Sequence, residues 1–269
     1  VGLALACVLV LIVQRMTLSV AVIPWSKECG WGVAQQQSIL GAFFWGYLAT
    51  MIPGALLGNR FTAHAAGLAA CLVLSSAVTA TTPLAGCGHL QAVGLRVALG
   101  AAQGPMFPLV AGLLGQWVGP AEYSRANAFV SEGSNFGVLV AYPLASLLCK
   151  RGWRLAFVVP GLLGLPCLGL LLAFGSSTPQ ANRWISDSEL DQLALATEKR
   201  ARDRDGVGDE VVKVRWWQLL SSSTVWCITA NFFTANWAAW VLLSELPLYL
   251  SHRGYDLTEA GFASDLPSL

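Results

Sequence analysis

The chain has 269 residues, of which 55% are hydrophobic and only 12% are charged, and its mean hydropathy is +0.58. This composition is too apolar for a protein whose surface faces water, so we predict that most of the chain lies in a membrane. The formal charge of +1 and the lack of a basic run give no indication of nucleic-acid binding. The seven cysteines lack metal-ligand spacing, and no phosphate loop or Ser-His-Asp order indicates an enzyme.

Apolar runs of about 20 residues predict membrane-spanning helices. In chain order they cover residues 1–24, 35–58, 65–85, 90–118, 126–149, 153–175 and 223–250. An eighth span begins near Leu257 and reaches the last residue, Leu269. Because Val1 already lies inside an apolar run, we expect a fragment at both ends and not a chain with a removed signal peptide.

These spans divide the chain into three predicted parts. Residues 1–175 form an N-terminal six-helix transmembrane bundle, and residues 223–269 begin a C-terminal bundle. Residues 176–222 form a charged central loop, in which a Ser-x-x-Glu capping box at Ser186 predicts an amphipathic surface helix over 186–204. The excess of lysine and arginine lies on the side of this loop, which favours a cytosolic or stroma-like location for the loop.

Three cysteines are predicted to lie near the opposite membrane face: Cys29, Cys87 and Cys149. A disulfide among them is one interpretation. The preferred interpretation is that they are small residues at helix contacts.

Two arginines interrupt long apolar runs, Arg15 in the first span and Arg96 in the fourth. A guanidinium at bilayer depth is costly, so it usually faces a water-filled cavity, a partner or an anionic ligand. Two such groups can offer forked donors to a carboxylate or phosphate. Gln103 and Phe107 follow Arg96 at spacings of seven and four, which predicts one helical face. We expect this face to line a cavity; the alternative is that it faces another helix.

Six spans, a long charged loop and further spans are similar to the layout of the major facilitator superfamily, an all-α membrane fold. More specific motifs include Phe43-Phe44-Trp45-Gly46-Tyr47, Phe107-Pro108, Gln116-Trp117, Gly152-Trp153 and Asn236-Trp237. Together these motifs resemble the anion:cation symporter family, which includes sialin, vesicular glutamate transporters, sodium–phosphate cotransporters and plant plastid carriers. The plastid branch is the most similar.

The resemblance implies a secondary active transporter that moves small organic or inorganic anions, bearing phosphate or carboxylate groups, by alternating access. Its expected substrate-binding residues are Arg15, Arg96, Gln103, Tyr47 and Phe107. We expect no cofactor, a Na⁺ or H⁺ coupling ion, and a monomer in the lipid bilayer. The membrane is that of a plastid envelope, a vesicle or lysosome, or the cell surface.

Two short connections on the loop side carry candidate gating residues, Asn59 with Arg60 and Glu122 with Arg125. The superfamily usually has an acidic residue where Asn59 stands. In the fifth span, the polar pair Glu132 and Asn135 is a further candidate for coupling or gating. The preferred hypothesis pairs Glu132 with Arg125, and the alternatives are that it binds a coupling cation or does neither.

Two departures from the family bear on coupling. Many members carry glutamate where Gln103 stands, and some carry histidine where Ala111 stands. Since neither residue here can titrate, Na⁺ coupling or potential-driven transport is favoured over proton coupling. Glu245, near the end of the seventh span, is expected to reach the membrane interface.

Two alternative functions stay open. One is a truncated carrier that folds without transporting. The other is a heptahelical receptor, which is disfavoured because the long loop follows span six and no Asp-Arg-Tyr sequence follows helix three.

Overall fold

A computed structural model describes residues 1–61, 63–182, 185–186, 217 and 220–252. The chain forms eight main helices in this part: α1 Gly2–Cys29, α2 Val33–Phe61, α3 His64–Thr81, α4 His89–Gln103, α5 Met106–Trp117, α6 Pro120–Cys149, α7 Trp153–Phe174 and α8 Ser223–His252. Short 3₁₀ helices cover Thr82–Ala85 and Pro179–Ala181. The predicted surface helix over 186–204 and the span from Leu257 lie outside the described residues.

Five segments of the described chain are long and apolar enough to cross a membrane. They are Gly2–Cys29, Val33–Gly58, His64–Ala85, His89–Trp117 and Trp153–Phe174. The predicted fifth and seventh spans correspond to α6 and α8, which have 30 residues each but are not among these five. Polar and charged residues such as Glu122 and Glu132 lower the hydropathy of α6.

The fourth predicted span is not one continuous helix. Gly104 and Pro105 separate α4 from α5. Proline has no amide hydrogen to donate, and its ring clashes with the preceding helical turn, so the helix is interrupted there. Phe107 therefore belongs to a different helix from Arg96 and Gln103, which lie together on α4.

Two predicted connections belong to helices instead. Helix α2 continues to Phe61, so Asn59 and Arg60 lie in its last turn. Helix α6 begins at Pro120, where a proline needs no hydrogen-bond acceptor, and its first turns contain Glu122 and Arg125.

Helix α1 is the centre of the bundle. Its most apolar window is 83% buried, compared with 22% for α2. It packs along α6 and α7 and also contacts α8, while α2 pairs with α4 and α3 pairs with α7. Helix α1 also carries the buried polar side chains of Gln14, Arg15 and Thr17, and polar groups inside a membrane face the bundle interior, which agrees with the central position of α1.

Glycines bring α2 and α4 into direct backbone contact. A Cβ atom on Gly46 would overlap the Val97 carbonyl, and one on Gly100 would overlap the Phe43 carbonyl. Small residues allow such close approach between membrane helices. The glycine of the Phe-Phe-Trp-Gly-Tyr motif thus holds the aromatic residues of α2 against α4, the helix that carries Arg96.

The ends of the helices opposite the long loop are joined by aromatic rings and a disulfide. Trp25 stacks on Trp153 with centroids 4.8 Å apart, and its Nε1 donates to the Gly86 carbonyl at 2.8 Å. This contact brings the loop before α4 to the end of α1, where Cys29 and Cys87 form a disulfide. The preferred helix-packing interpretation is therefore wrong for these two cysteines. Cys149, the third candidate, is buried and free.

Candidate solute-binding site

Arg15 lies on α1 against the aromatic motif of α2. Its guanidinium carbon is 4.3 Å from the ring centroid of Phe43, 5.4 Å from that of Phe44 and 5.3 Å from that of Tyr47. The faces of aromatic rings are electron-rich, so they attract a cation, and the attraction is stronger away from water. Only 8% of Arg15 is exposed, and the aromatic motif therefore holds a positive charge inside the bundle.

Arg96 lies on α4 and lines the same cavity as Arg15. The cavity lies between α1, α2 and α4, and Ser19, Phe43 and Phe44 also line it. Arg96 is 5% exposed, and its Nε has no hydrogen-bond partner among the described residues. The structure thus brings together the two arginines that the sequence predicted to act together.

This cavity is positive and narrow. Its volume is about 20 Å³, which is room for about one water molecule. A charged side chain at the bilayer centre costs about 3 kcal/mol on insertion scales, and an anion would offset that cost. Within the described residues, no group of three or more His, Cys, Asp or Glu side chains is placed to hold a metal ion. Two guanidinium groups that line one narrow cavity can donate hydrogen bonds to a carboxylate or phosphate group.

Tyr47, another predicted binding residue, is half-buried behind this cavity. Its ring stacks on Phe43 with centroids 5.6 Å apart. It contributes to the aromatic wall that faces Arg15, although it is not among the residues that line the cavity.

Two predicted binding residues lie elsewhere. Gln103 is fully buried, and its Nε2 donates to the Leu11 carbonyl of α1 at 3.0 Å. Its amide therefore joins α4 to α1 and does not line the arginine cavity, which was the alternative that the sequence left open. Phe107 follows the break at Pro105 and is 37% exposed, outside this cavity.

The predicted pairing of Glu132 with Arg125 is wrong. Asn135 Nδ2 donates to Glu132 Oε2 at 3.0 Å instead, and this pair lies on an exposed face of α6. Arg125 is also exposed and forms no ion pair with the described residues. Seven residues correspond to about 10 Å along a helix, which places the two charged groups out of contact.

The remaining gating candidates are not brought to the arginine cavity. Arg60 is exposed in the last turn of α2, and Glu122 is exposed in the first turn of α6. Both lie at the helix ends nearer the long loop. Asn59 belongs to α2, but its side chain is outside the described part of the structure.

A second, larger cavity contains residues that were not predicted as site residues. It has a volume of about 410 Å³ between α2 and α8, and Gln37, Asn236 and Glu245 line it. Gln37 Nε2 donates to Glu245 Oε2. Gln37 lies in the first turns of α2 and Glu245 in the last two turns of α8, at the helix ends opposite the long loop, so the expectation that Glu245 reaches the membrane interface stays a prediction. The signal in the sequence was a single acidic residue inside the seventh apolar run, facing a polar residue in the second.

The sequence matches the Major Facilitator Superfamily over residues 3–269. It is 31% identical over 259 residues to the probable anion transporter 4, chloroplastic, of Oryza sativa subsp. japonica, covering 95% of this chain and 42% of that protein. Sialin of Homo sapiens is 29% identical over 249 residues, covering 90% of this chain and 48% of sialin. The chain thus spans about half the length of these relatives.

The fold agrees with this match. The structure resembles the crystal structure of a bacterial homologue of the human lysosomal transporter Spinster, with a TM-score of 0.74 and 18% identity, covering 98% of this chain and 57% of that one. It also resembles the D-xylose–proton symporter, with a TM-score of 0.65 and 15% identity, covering 98% and 64% respectively. Multiple apolar helices, the superfamily match and relatives named as anion transporters identify a multi-pass integral membrane protein that is not an enzyme. The chain belongs to the Major Facilitator Superfamily.

Proposed function

We propose that this protein is a secondary active transporter of small organic or inorganic anions, which works by alternating access. The observation that carries this proposal is the shared cavity of Arg15 and Arg96 inside the bundle. Relatives named as anion transporters support the same solute class.

The geometry favours an anion with a carboxylate or phosphate group. A guanidinium can donate two parallel hydrogen bonds to either group, and such charge-assisted bonds are strong away from water. Arg96 has an unused donor at Nε among the described residues, while Arg15 is held against Phe43. We infer that Arg96 donates directly to the solute and that Arg15 supplies a fixed positive charge.

The narrow cavity fits a mechanism in which the site opens and closes. A volume of about 20 Å³ admits no phosphate or carboxylate-bearing solute in this conformation. Entry therefore requires movement of the helices that line it, namely α1, α2 and α4. Alternating access consists of movements of this kind, in which helices shift around the binding site.

We propose that anion transport is coupled to Na⁺ or to the membrane potential more than to a proton gradient. Gln103 and Ala111 cannot titrate, and Gln103 is occupied by its bond to Leu11. Symport of the anion with Na⁺ is therefore the favoured mode.

Transport in proteoliposomes tests this proposal. The protein at its native length is reconstituted with imposed Na⁺, H⁺ and potential gradients, and uptake of labelled phosphate and dicarboxylates is measured. We expect Arg96→Ala to abolish uptake while membrane expression is kept. Arg96→Lys keeps the charge but loses the two parallel donors of the guanidinium, so we expect uptake to be weaker by about ten- to a hundredfold, because a hydrogen bond to a charged group contributes about 1.5–3 kcal/mol.

A matched control removes an arginine at the exposed bundle end. Arg154 donates to Glu28 at 2.7 Å outside both cavities, so we expect Arg154→Ala to leave uptake unchanged. Wild-type uptake by Arg96→Ala would overturn the proposed role of the arginine cavity.

A further inference from the structure

The larger cavity between α2 and α8 has an acidic character, unlike the arginine cavity. Its polar lining includes one carboxylate, Glu245, and two amides, Gln37 and Asn236. Its volume of about 410 Å³ is large enough for a small organic molecule. No lysine or arginine is among the described residues that line it.

Glu245 is partly buried, and its hydrogen-bond partner carries no positive charge. It accepts a hydrogen bond from Gln37 Nε2, and it forms no ion pair with the described residues. Partial burial disfavours an unpaired carboxylate, and a nearby cation stabilises its charged form. Glu245 can therefore accept a positively charged ligand at its remaining oxygen.

The walls of the cavity also favour a cation. The aromatic side chains of Phe44, Phe233 and Trp237 line it. Indole and phenyl faces attract ammonium groups and metal cations within about 6 Å of the ring centroid. Asn236 Nδ2 donates to the Phe232 carbonyl at 2.9 Å, which leaves the amide oxygen of Asn236 as an acceptor for another partner.

The two cavities are neighbours. Leu40 and Phe44 line both of them, so the two cavities share part of one wall. The same aromatic ring thus faces Arg15 on one side and the cavity of Glu245 on the other.

We propose that the cavity between α2 and α8 binds a positive charge through Glu245. This inference rests on the proposed anion site, which it extends to a bipolar site with arginines at one end and a carboxylate at the other. The positive charge is supplied either by an ammonium group of the solute or by a separate Na⁺ ion. In both cases Glu245 carries the negative charge, and the aromatic residues form the wall.

Binding to the purified protein at its native length tests the two sources separately. In the first arm, phosphate affinity is measured by scintillation proximity while Na⁺ replaces N-methylglucamine at constant ionic strength. In the second arm, glutamate is compared with glutarate, which lacks only the amino group. Dependence on Na⁺ identifies a separate ion, and preference for glutamate identifies an ammonium group of the solute.

Glu245→Gln is expected to reduce the Na⁺ effect or the preference for glutamate at least tenfold. Glu245→Asp keeps the charge and should retain most of the effect. If Glu245→Gln does not fold, Trp237→Leu provides the second test, because it removes the aromatic wall and should weaken the same effect. Glu28→Gln is the matched control, since Glu28 lies at the same end of the bundle but outside both cavities.

The outcomes separate this inference from the proposed function. If phosphate or glutarate binding still requires Arg96 but no cation effect depends on Glu245 and Trp237, the cation site is overturned and the anion site stands. If anion binding survives Arg96→Ala, the proposed function is overturned. A Glu28→Gln protein that loses the cation effect equally would also overturn the cation site, because the effect would then reflect surface charge.

Discussion

The two buried arginines lie in one cavity but differ in what surrounds them. Arg15 has three aromatic rings within about 6 Å, so its charge is stabilised by the protein itself. Arg96 has a buried Nε without a partner among the described residues. An unpaired donor costs about 1–3 kcal/mol in a protein interior, and a bound anion would recover that energy. We therefore expect substitutions of Arg96 to weaken anion binding more than substitutions of Arg15.

Gln103 gives a prediction about stability and pH. Its Nε2 donates to the Leu11 carbonyl inside the bundle. In Gln103→Glu, only the protonated carboxyl can donate to that carbonyl, and the ionised form would face it with two acceptor oxygens. We therefore expect the variant to be about as stable as the wild type near pH 5 and less stable by about 1–3 kcal/mol near pH 8.

Thermal unfolding in detergent at the two pH values measures this effect. Gln103→Leu is the control, because it removes the amide without adding a titratable group, and its loss of stability should not depend on pH. A Gln103→Glu protein with the same stability relative to wild type at both pH values would show that the residue does not contact Leu11 as described.

At the scale of the helices, the contact between α2 and α4 depends on glycine. A Cβ atom at Gly100 would overlap the Phe43 carbonyl, whereas one at Gly94, on the same helix, would meet nothing within 4 Å. We expect Gly100→Ala to destabilise the protein by about 1–3 kcal/mol, since overpacking forces the helices apart. Gly94→Ala should be neutral or stabilising by up to about 1 kcal/mol.

The thermal midpoints of these two variants measure the difference, and anion affinity gives a second measurement. Separating α2 from α4 moves Phe43 relative to Arg96, so Gly100→Ala should also weaken phosphate binding. Equal midpoints for Gly94→Ala and Gly100→Ala would contradict the described backbone contact.

Length and hydropathy predicted most of the helices, because an apolar run of about 20 residues has few alternatives to a spanning helix in a membrane. The break at Gly104 and Pro105 was missed because the flanking residues are apolar on both sides, so hydropathy does not change there. Phe107 lies beyond that break, whereas Gln103 lies on α4 with Arg96 and is turned towards α1 by its hydrogen bond to Leu11. Predictions about a helical face require a continuous helix, which a sequence with an internal Gly-Pro does not provide.

The arginine cavity was predictable because a guanidinium in an apolar run has a large energetic cost. Such a group usually faces a water-filled cavity, a partner or an anionic ligand. The disulfide was only the alternative interpretation of Cys29, Cys87 and Cys149, and the cavity of Glu245 was not predicted, since neither has a local motif in the sequence. Cys29 and Cys87 are 58 residues apart, and Gln37 bonds to Glu245 across 208 residues. Contacts of this kind follow from the packing of α1, α2 and α8 and leave little local signal.

At the scale of the whole molecule, the two ends of the bundle differ in chemistry. One end has the Cys29–Cys87 disulfide and the packed rings of Trp25 and Trp153. The other end leads into the charged loop that begins after α7. Disulfides persist in oxidising compartments, while lysine and arginine concentrate in cytoplasmic loops. Both features predict the same orientation, with the long loop in the cytosol and the disulfide on the opposite side.

Cysteine labelling from one side of the membrane tests this orientation. Gly32 is exposed between α1 and α2, and Gln180 is exposed after α7. In a background with the exposed Cys227 changed to alanine, Gly32→Cys should react with an impermeant maleimide from the non-cytosolic side only, and Gln180→Cys from the cytosolic side only. Cys29 and Cys87 should resist alkylation until a reductant is added. Labelling of Gly32→Cys from the cytosol would reverse the predicted orientation, and free Cys29 and Cys87 thiols in the native membrane would remove the argument from the disulfide.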